Sequence, residues 1–123
     1  MIIFWRVKMN FDESLQQYTY EHEGGTFVWD EEPDCDFMDK VELLAKNYQE
    51  NLDRIINFML ANLKEMYGDI NEENVKNNLG KPIIDYNQGT VSYCEQTLDD
   101  WHLFEFEFLD DQFKKLKCFS VNG

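Results

Sequence analysis

Basic side chains are scarce in this sequence: 11 Lys and Arg stand against 25 Asp and Glu, a formal net charge of −14 at pH 7 over 123 residues. The acidic excess is spread along the chain, with no acidic tail. Phosphate backbones and anionic lipid surfaces are bound through clustered Lys and Arg that release counterions, so neither nucleic acid nor a membrane surface is an expected partner. A basic protein would instead be steered in.

Cysteine is also sparse. Cys35, Cys94 and Cys118 are odd in number, contain no CxxC pair and give no disulfide framework, which predicts reduced thiols in a cytoplasmic protein. The apolar start, Met1-Ile2-Ile3-Phe4-Trp5, is broken by Arg6 and Lys8 before it reaches signal-peptide length, and no run approaches a membrane span. His22 and His102 are the only histidines and lie in no ligand spacing such as HExxH, so no zinc site is expected and the thiols read as inert core residues. Gly24-Gly25 lacks GxGxxG or P-loop surroundings, so no nucleotide cradle and no other cofactor is expected.

What the chain does have is buriable surface. Hydrophobic residues make up 43% and aromatics 15%, with 10 Phe, 6 Tyr and 3 Trp. That is too much for a disordered acidic chain, and the length suits one domain covering residues 1–123.

Along the first third, Ile3, Trp5, Val7 and Met9 alternate with Phe4, Arg6 and Lys8 in the period of a strand. Residues 17–22 and 26–29, joined across Glu23-Gly24-Gly25, read as a hairpin, since paired glycines supply the positive φ of a tight turn. The acidic run from Asp30 to Asp36 then offers Asp34 or Asp36 as a helix N-cap. From Phe37 the apolar positions Val41, Leu44, Ala45, Tyr48, Leu52, Ile55, Ile56, Met59, Leu63 and Met66 share one stripe about 120° wide, with Leu43 opposite it and Gly68 as the stop. Unbroken to Tyr67, this helix would be about 45 Å long, too long for so small a core without a bend or an overhanging end. Residues 71–80 predict a short second helix with Asn71 as N-cap, Gly80 as C-cap, and Val75 and Leu79 as its buried i,i+4 pair.

The last third predicts four strands in a meander over 82–86, 90–96, 102–109 and 114–121. In His102-Leu103-Phe104-Glu105-Phe106-Glu107-Phe108 the alternation puts three Phe on one face and two Glu on the other, so the Phe face should lie on the helix stripe. The expected fold is α+β: an antiparallel sheet of N-terminal strands plus the C-terminal meander, packed on one long amphipathic helix and a short second one.

No catalytic signature emerges. Asp30, Glu31, Glu32, Asp34 and Asp36 form the densest carboxylate cluster, but without the glycine of a calcium loop and with Pro33 in its midst they read as a solvated capping loop. Glu105 and Glu107 share a sheet face as the best-placed acid pair, and the simpler reading is the wet side of a half-buried strand. Aromatics beside acids remain: Trp5, Trp29 and Trp101, with Tyr18, Tyr20, Tyr86 and Tyr93. Rings of this kind fill cores, and beside carboxylates they also compose recognition surfaces for basic partners.

The run Gln88-Gly89-Thr90-Val91-Ser92-Tyr93, then Leu98-Asp99-Asp100-Trp101-His102-Leu103-Phe104-Glu105-Phe106, closing on Ser120-Val121-Asn122-Gly123, resembles the end of a bacterial family of small uncharacterised α+β domains. There too a long amphipathic helix precedes a meander. Some similar acidic domains are immunity proteins that block a toxin, so the resemblance implies a binding role and transfers no catalytic residue. The expected function is accordingly a non-enzymatic cytoplasmic protein-binding domain, of the kind that inhibits a basic toxin or nuclease. The turn-borne residues Trp29, Asp30, Glu31, Glu32, Asp34, Asp99, Asp100 and Trp101 are its expected contacts. The alternative is a small enzyme or small-ligand binder whose site assembles from carboxylates and His102, and a deep pocket holding His102 would favour it.

Overall fold

The computed structural model describes residues 10–12, 17–22, 24–29 and 36–123. The alternating segment 3–9 and the acidic residues Asp30, Glu31, Glu32 and Asp34 lie outside the described residues, as does Cys35. Seven strands, β1 (Asn10–Asp12), β2 (Gln17–His22), β3 (Gly25–Trp29), β4 (Ile83–Asp85), β5 (Thr90–Tyr93), β6 (Leu103–Phe108) and β7 (Leu116–Asn122), form one sheet in sequence order. Three helices, α1 (Phe37–Glu50), α2 (Leu52–Tyr67) and α3 (Glu72–Asn78), intervene between β3 and β4.

The fold is therefore α+β, with the expected hairpin and meander in place. The sheet is mixed rather than wholly antiparallel. Every neighbouring pair is antiparallel except β3 and β4, which run parallel in the register Phe27↔Ile84. The reason is the connection: the helical segment carries the chain back to the end where β3 began, and strands joined by such a crossover pair in parallel.

Register aligns the core face. Tyr20, Phe27, Ile84, Val91 and Phe106 stand opposite one another across five strands, and period-2 alternation puts Phe104 and Phe108 beside Phe106. All three Phe are buried while Glu105 and Glu107 are only half-buried on the other face. There Ser92 donates to Glu105 at 2.9 Å, and Lys117 pairs loosely with Glu107.

The helical stripe buries Phe37, Val41, Leu44, Ala45 and Tyr48 from α1 and Ile55, Ile56, Met59 and Leu63 from α2. It is two helices, not one. At Asn51 the side-chain amide donates to the Asn47 carbonyl at 2.9 Å, beside the same residue's backbone N–H at 3.1 Å. An asparagine that competes for the helical carbonyl in this way bends a helix. The bend turns Phe58 onto Phe106 and Phe119, with centroids 5.9 and 6.4 Å away, and leaves Met66 of the expected stripe exposed. Leu43 is exposed, as its place opposite the stripe predicts.

Asp36 stands at the N-cap of α1 without a side-chain cap bond. Asn71, by contrast, caps α3 reciprocally with Asn74 at 2.8 and 3.0 Å. Val75 and Leu79 are both buried, and Gly80 follows the helix at φ +73°. The edge strand β7 carries a bulge opposite Glu105–Glu107, where Cys118 takes φ +57°.

Candidate functional site

The Gln96–His102 segment links β5 to β6, and its shape is set by one carboxylate. Asp99 Oδ1 accepts from Gln96 Nε2 at 2.9 Å, from the His102 backbone N–H at 3.0 Å and from the Trp101 N–H at 3.2 Å. Oδ2 accepts from the Tyr67 hydroxyl at the end of α2 and lies 2.5 Å from His102 Nδ1. An ionised carboxylate can only accept, so Nδ1 carries the proton of that contact. Gln96, itself buried, closes the turn by accepting from Leu98 N–H at 2.8 Å and donating to the His102 carbonyl at 2.7 Å.

Electrostatics follow the hydrogen bonds. Burial would raise the Asp99 pKa, but the Tyr67 hydroxyl, the His102 backbone and ring, and the Gln96 amide together hold it well below the usual carboxylate range. Burial first, then the hydrogen bond to Asp99 and the Asp99 charge, raise the Tyr67 pKa.

On this clamped turn Trp101 is 64% exposed. Its ring lies over the His102 imidazole with centroids 3.6 Å apart, and Gly123 packs so close that a Cβ there would meet the Trp101 carbonyl at 2.8 Å. The result is a large aromatic surface held in one orientation, with Asp100 beside it in the chain.

Trp29 is placed elsewhere. It ends β3, stacks on Tyr86 at 5.3 Å and meets Phe37 edge-on at 4.7 Å. Because β4 runs parallel to β3 and β5 then carries the chain back across the sheet, Trp29 and Tyr86 mark one end and Asp99, Asp100 and Trp101 the other. The structure thus brings Asp99, Asp100 and Trp101 together and separates them from Trp29.

The residues with chemical potential are otherwise occupied. His102's ring meets Asp99, whose oxygens shape the turn, and Trp101. Cys94 and Cys118 are exposed rather than in the core, because Cys94 falls just past the end of β5 and Cys118 on the bulged edge. Burial and the charges of Glu105 and Glu95 raise the Cys94 thiol, and a hydrogen bond with Glu107 raises Cys118, so both stay protonated and weakly nucleophilic. Among the described residues no cluster of His, Cys, Asp and Glu is arranged to hold a metal ion, and no helix is long and apolar enough to cross a membrane. Clefts open beside Tyr86 and Asp111, beside His22 and Lys46, and beside Asp53 and Lys76, none of them lined by His102.

No family model matches the chain, and no curated protein or solved structure matches it either.

Sequence reasoning picked out Asp99 and Trp101 as turn residues but missed Gln96 and Tyr67, which fix them. In the sequence Gln96 ends an expected strand and Tyr67 an expected helix, so neither stands out. The spacing Gln96-x-x-Asp99-x-x-His102, with a side chain every third residue of a turn, is the signal that was available.

Proposed function

We propose that this chain is a non-enzymatic, cytoplasmic protein-binding domain that engages a basic protein, in the manner of an immunity-type inhibitor covering the cationic site of a toxin or nuclease. The observation that carries the reading is Trp101: a ring 64% exposed on a turn that its own hydrogen bonds hold rigid. Exposed, preorganised Trp is the side chain most often found at the centre of binding energy in interfaces, since it offers area with little entropy to lose. The −14 charge supplies the rest, because it steers a basic partner to the surface and opposes acidic ones.

The carboxylate/His alternative rests on the Asp99–His102 pair. Against it, both Asp99 oxygens already accept hydrogen bonds that shape the turn. A base so engaged and so weakly basic has little to offer a substrate.

The test is affinity capture of the tagged chain from its native cytosol at low and at high salt, in parallel with Trp101→Ala. The expected result is one basic protein retained at low salt, released at high salt and lost with Trp101→Ala. A partner held equally by both forms, or at all salt concentrations, would count against the reading.

A further inference from the structure

At the end of the sheet away from Trp101, the turn after β4 and the turn after β6 face each other across a cleft of about 360 Å³. Small-ligand pockets span ~300–1,000 Å³. Tyr86, Phe108, Leu109, Asp110 and Asp111 contribute its walls, and none of the lining residues is basic. Two of these residues are held by neighbours in the fold. Trp29 stacks on the Tyr86 ring, and Asn47 of α1 donates to the Asp111 carbonyl at 2.9 Å.

Lys40, which does not itself line the cleft, reaches both groups. Lys40 Nζ lies 5.0 Å from the Tyr86 ring centroid and donates to Asp111 Oδ2 at 3.1 Å. The Tyr86 hydroxyl and then Asp111 raise the Lys40 pKa, outweighing burial, so the ammonium stays charged. Asp110 is otherwise engaged, since it accepts the backbone N–H groups of Gln112, Lys114 and Lys115 and shapes its own turn, with the Lys115 charge close by. Asp111 is the carboxylate left to meet a ligand.

We propose that this cleft receives an arginine side chain of a basic protein partner, and that Lys40 holds the Tyr86 face and the Asp111 carboxylate in the free protein until the arginine displaces it. A planar guanidinium stacks on an aromatic face and takes a carboxylate through two parallel N–H groups, whereas an ammonium is a strongly hydrated point charge. Lys40's two contacts are surface contacts, individually weak, so the exchange favours the guest. Leu109, 57% exposed on the cleft wall, offers apolar area to the rest of the guest segment. The inference rests on the basic-partner reading above but not on Trp101.

The experiment is an NMR titration of the full chain with a capped Arg-Gly-Arg-Gly peptide at about 0.15 M salt, where attraction to the general acidic surface is screened beyond ~8 Å. Saturable shifts centred on Tyr86, Gly89 and Leu109 are expected. Lys40→Met should tighten binding roughly threefold or more, Asp111→Asn should weaken it roughly tenfold or more, and a Lys-Gly-Lys-Gly peptide should bind less well. Shifts spread over the whole surface or centred elsewhere would overturn the proposal, as would a folded Lys40→Met that binds no more tightly. Should Lys40→Met fail to fold, Asp111→Asn decides alone, and unchanged affinity there overturns it. Trp101→Ala should leave the titration unaltered. A mapped titration without any captured partner would remove the reading above and keep this site, and a failed titration beside a Trp101-dependent partner would do the reverse.

Discussion

The Tyr48 hydroxyl of α1 and the Tyr93 hydroxyl of β5 lie 2.6 Å apart inside the core, each the other's hydrogen-bond partner. The pair joins the helical layer to the sheet through a buried side-chain hydrogen bond, and it links chemistry to stability. Tyr93→Phe leaves the Tyr48 hydroxyl buried without a partner, at an expected cost of ~1–3 kcal/mol. Tyr48→Phe should cost a similar amount, and the double variant less than the sum of the two. Urea unfolding of the four proteins measures the coupling, and strictly additive losses would refute it.

The same pair predicts an alkaline limb. Burial, offset in part by Tyr93, pushes the Tyr48 pKa from its ordinary 10.0 up to about 12, and burial with the Tyr48 contact raises Tyr93 as well. A raised folded-state pKa means the folded chain holds its proton more tightly than the unfolded one. The stability is therefore complete below pH 10.0 and falls as pH rises towards about 12. The double Phe variant should show a flatter fall over that window in denaturant melts.

Asp99 predicts the opposite limb. Its folded-state pKa is depressed below the ordinary 3.8, so its contribution is present above that value and lost as pH falls below it. Asp99→Asn should be less stable than the parent at neutral pH and should lose less on acidification, and its Trp101 fluorescence should report a looser turn. A parallel pair of acid titration curves would contradict this account.

Gly80→Ala and Gly24→Ala make a matched comparison. Both glycines have positive φ, so each substitution carries about 1–2 kcal/mol of backbone strain. Only at Gly80 does the new Cβ meet backbone, 2.8 Å from the Glu95 carbonyl, whereas nothing lies within 4 Å at Gly24. Gly80→Ala should cost clearly more in thermal unfolding, and should loosen the Thr97 to Asn78 contacts that tie α3 to the segment before Trp101.

Trp101→Ala separates binding from folding. An exposed ring contributes little to the core, so stability should change by no more than ~0.5 kcal/mol while the partner is lost. A large stability loss would recast Trp101 as a structural residue.

Much of this architecture can be read from local pattern. The alternation of Phe104, Phe106 and Phe108 with two glutamates specifies a half-buried strand, and Asn71 and Gly80 bracket a short helix, because each signal is complete within a few residues. The break at Asn51 is harder to foresee, since an asparagine within a helix bends it only where its amide takes the carbonyl four residues back. Lys40, Tyr86 and Asp111 come from three distant segments, so no spacing could announce their meeting. Trp29 and Trp101 looked alike as turn aromatics beside acids, and only the strand directions reveal that they occupy different ends.

The parallel seam between β3 and β4 divides the sheet into two families of local pairings, hairpin on one side and meander on the other, which can each begin to form without the other. Joining them requires the entire helical segment to be in place, and Trp29 stacked on Tyr86 spans that join. In refolding, quenching or shift of Trp29 emission should therefore lag behind that of Trp101, whose surroundings lie within the meander and the end of α2. The two tryptophans are in effect separate clocks for one molecule's assembly.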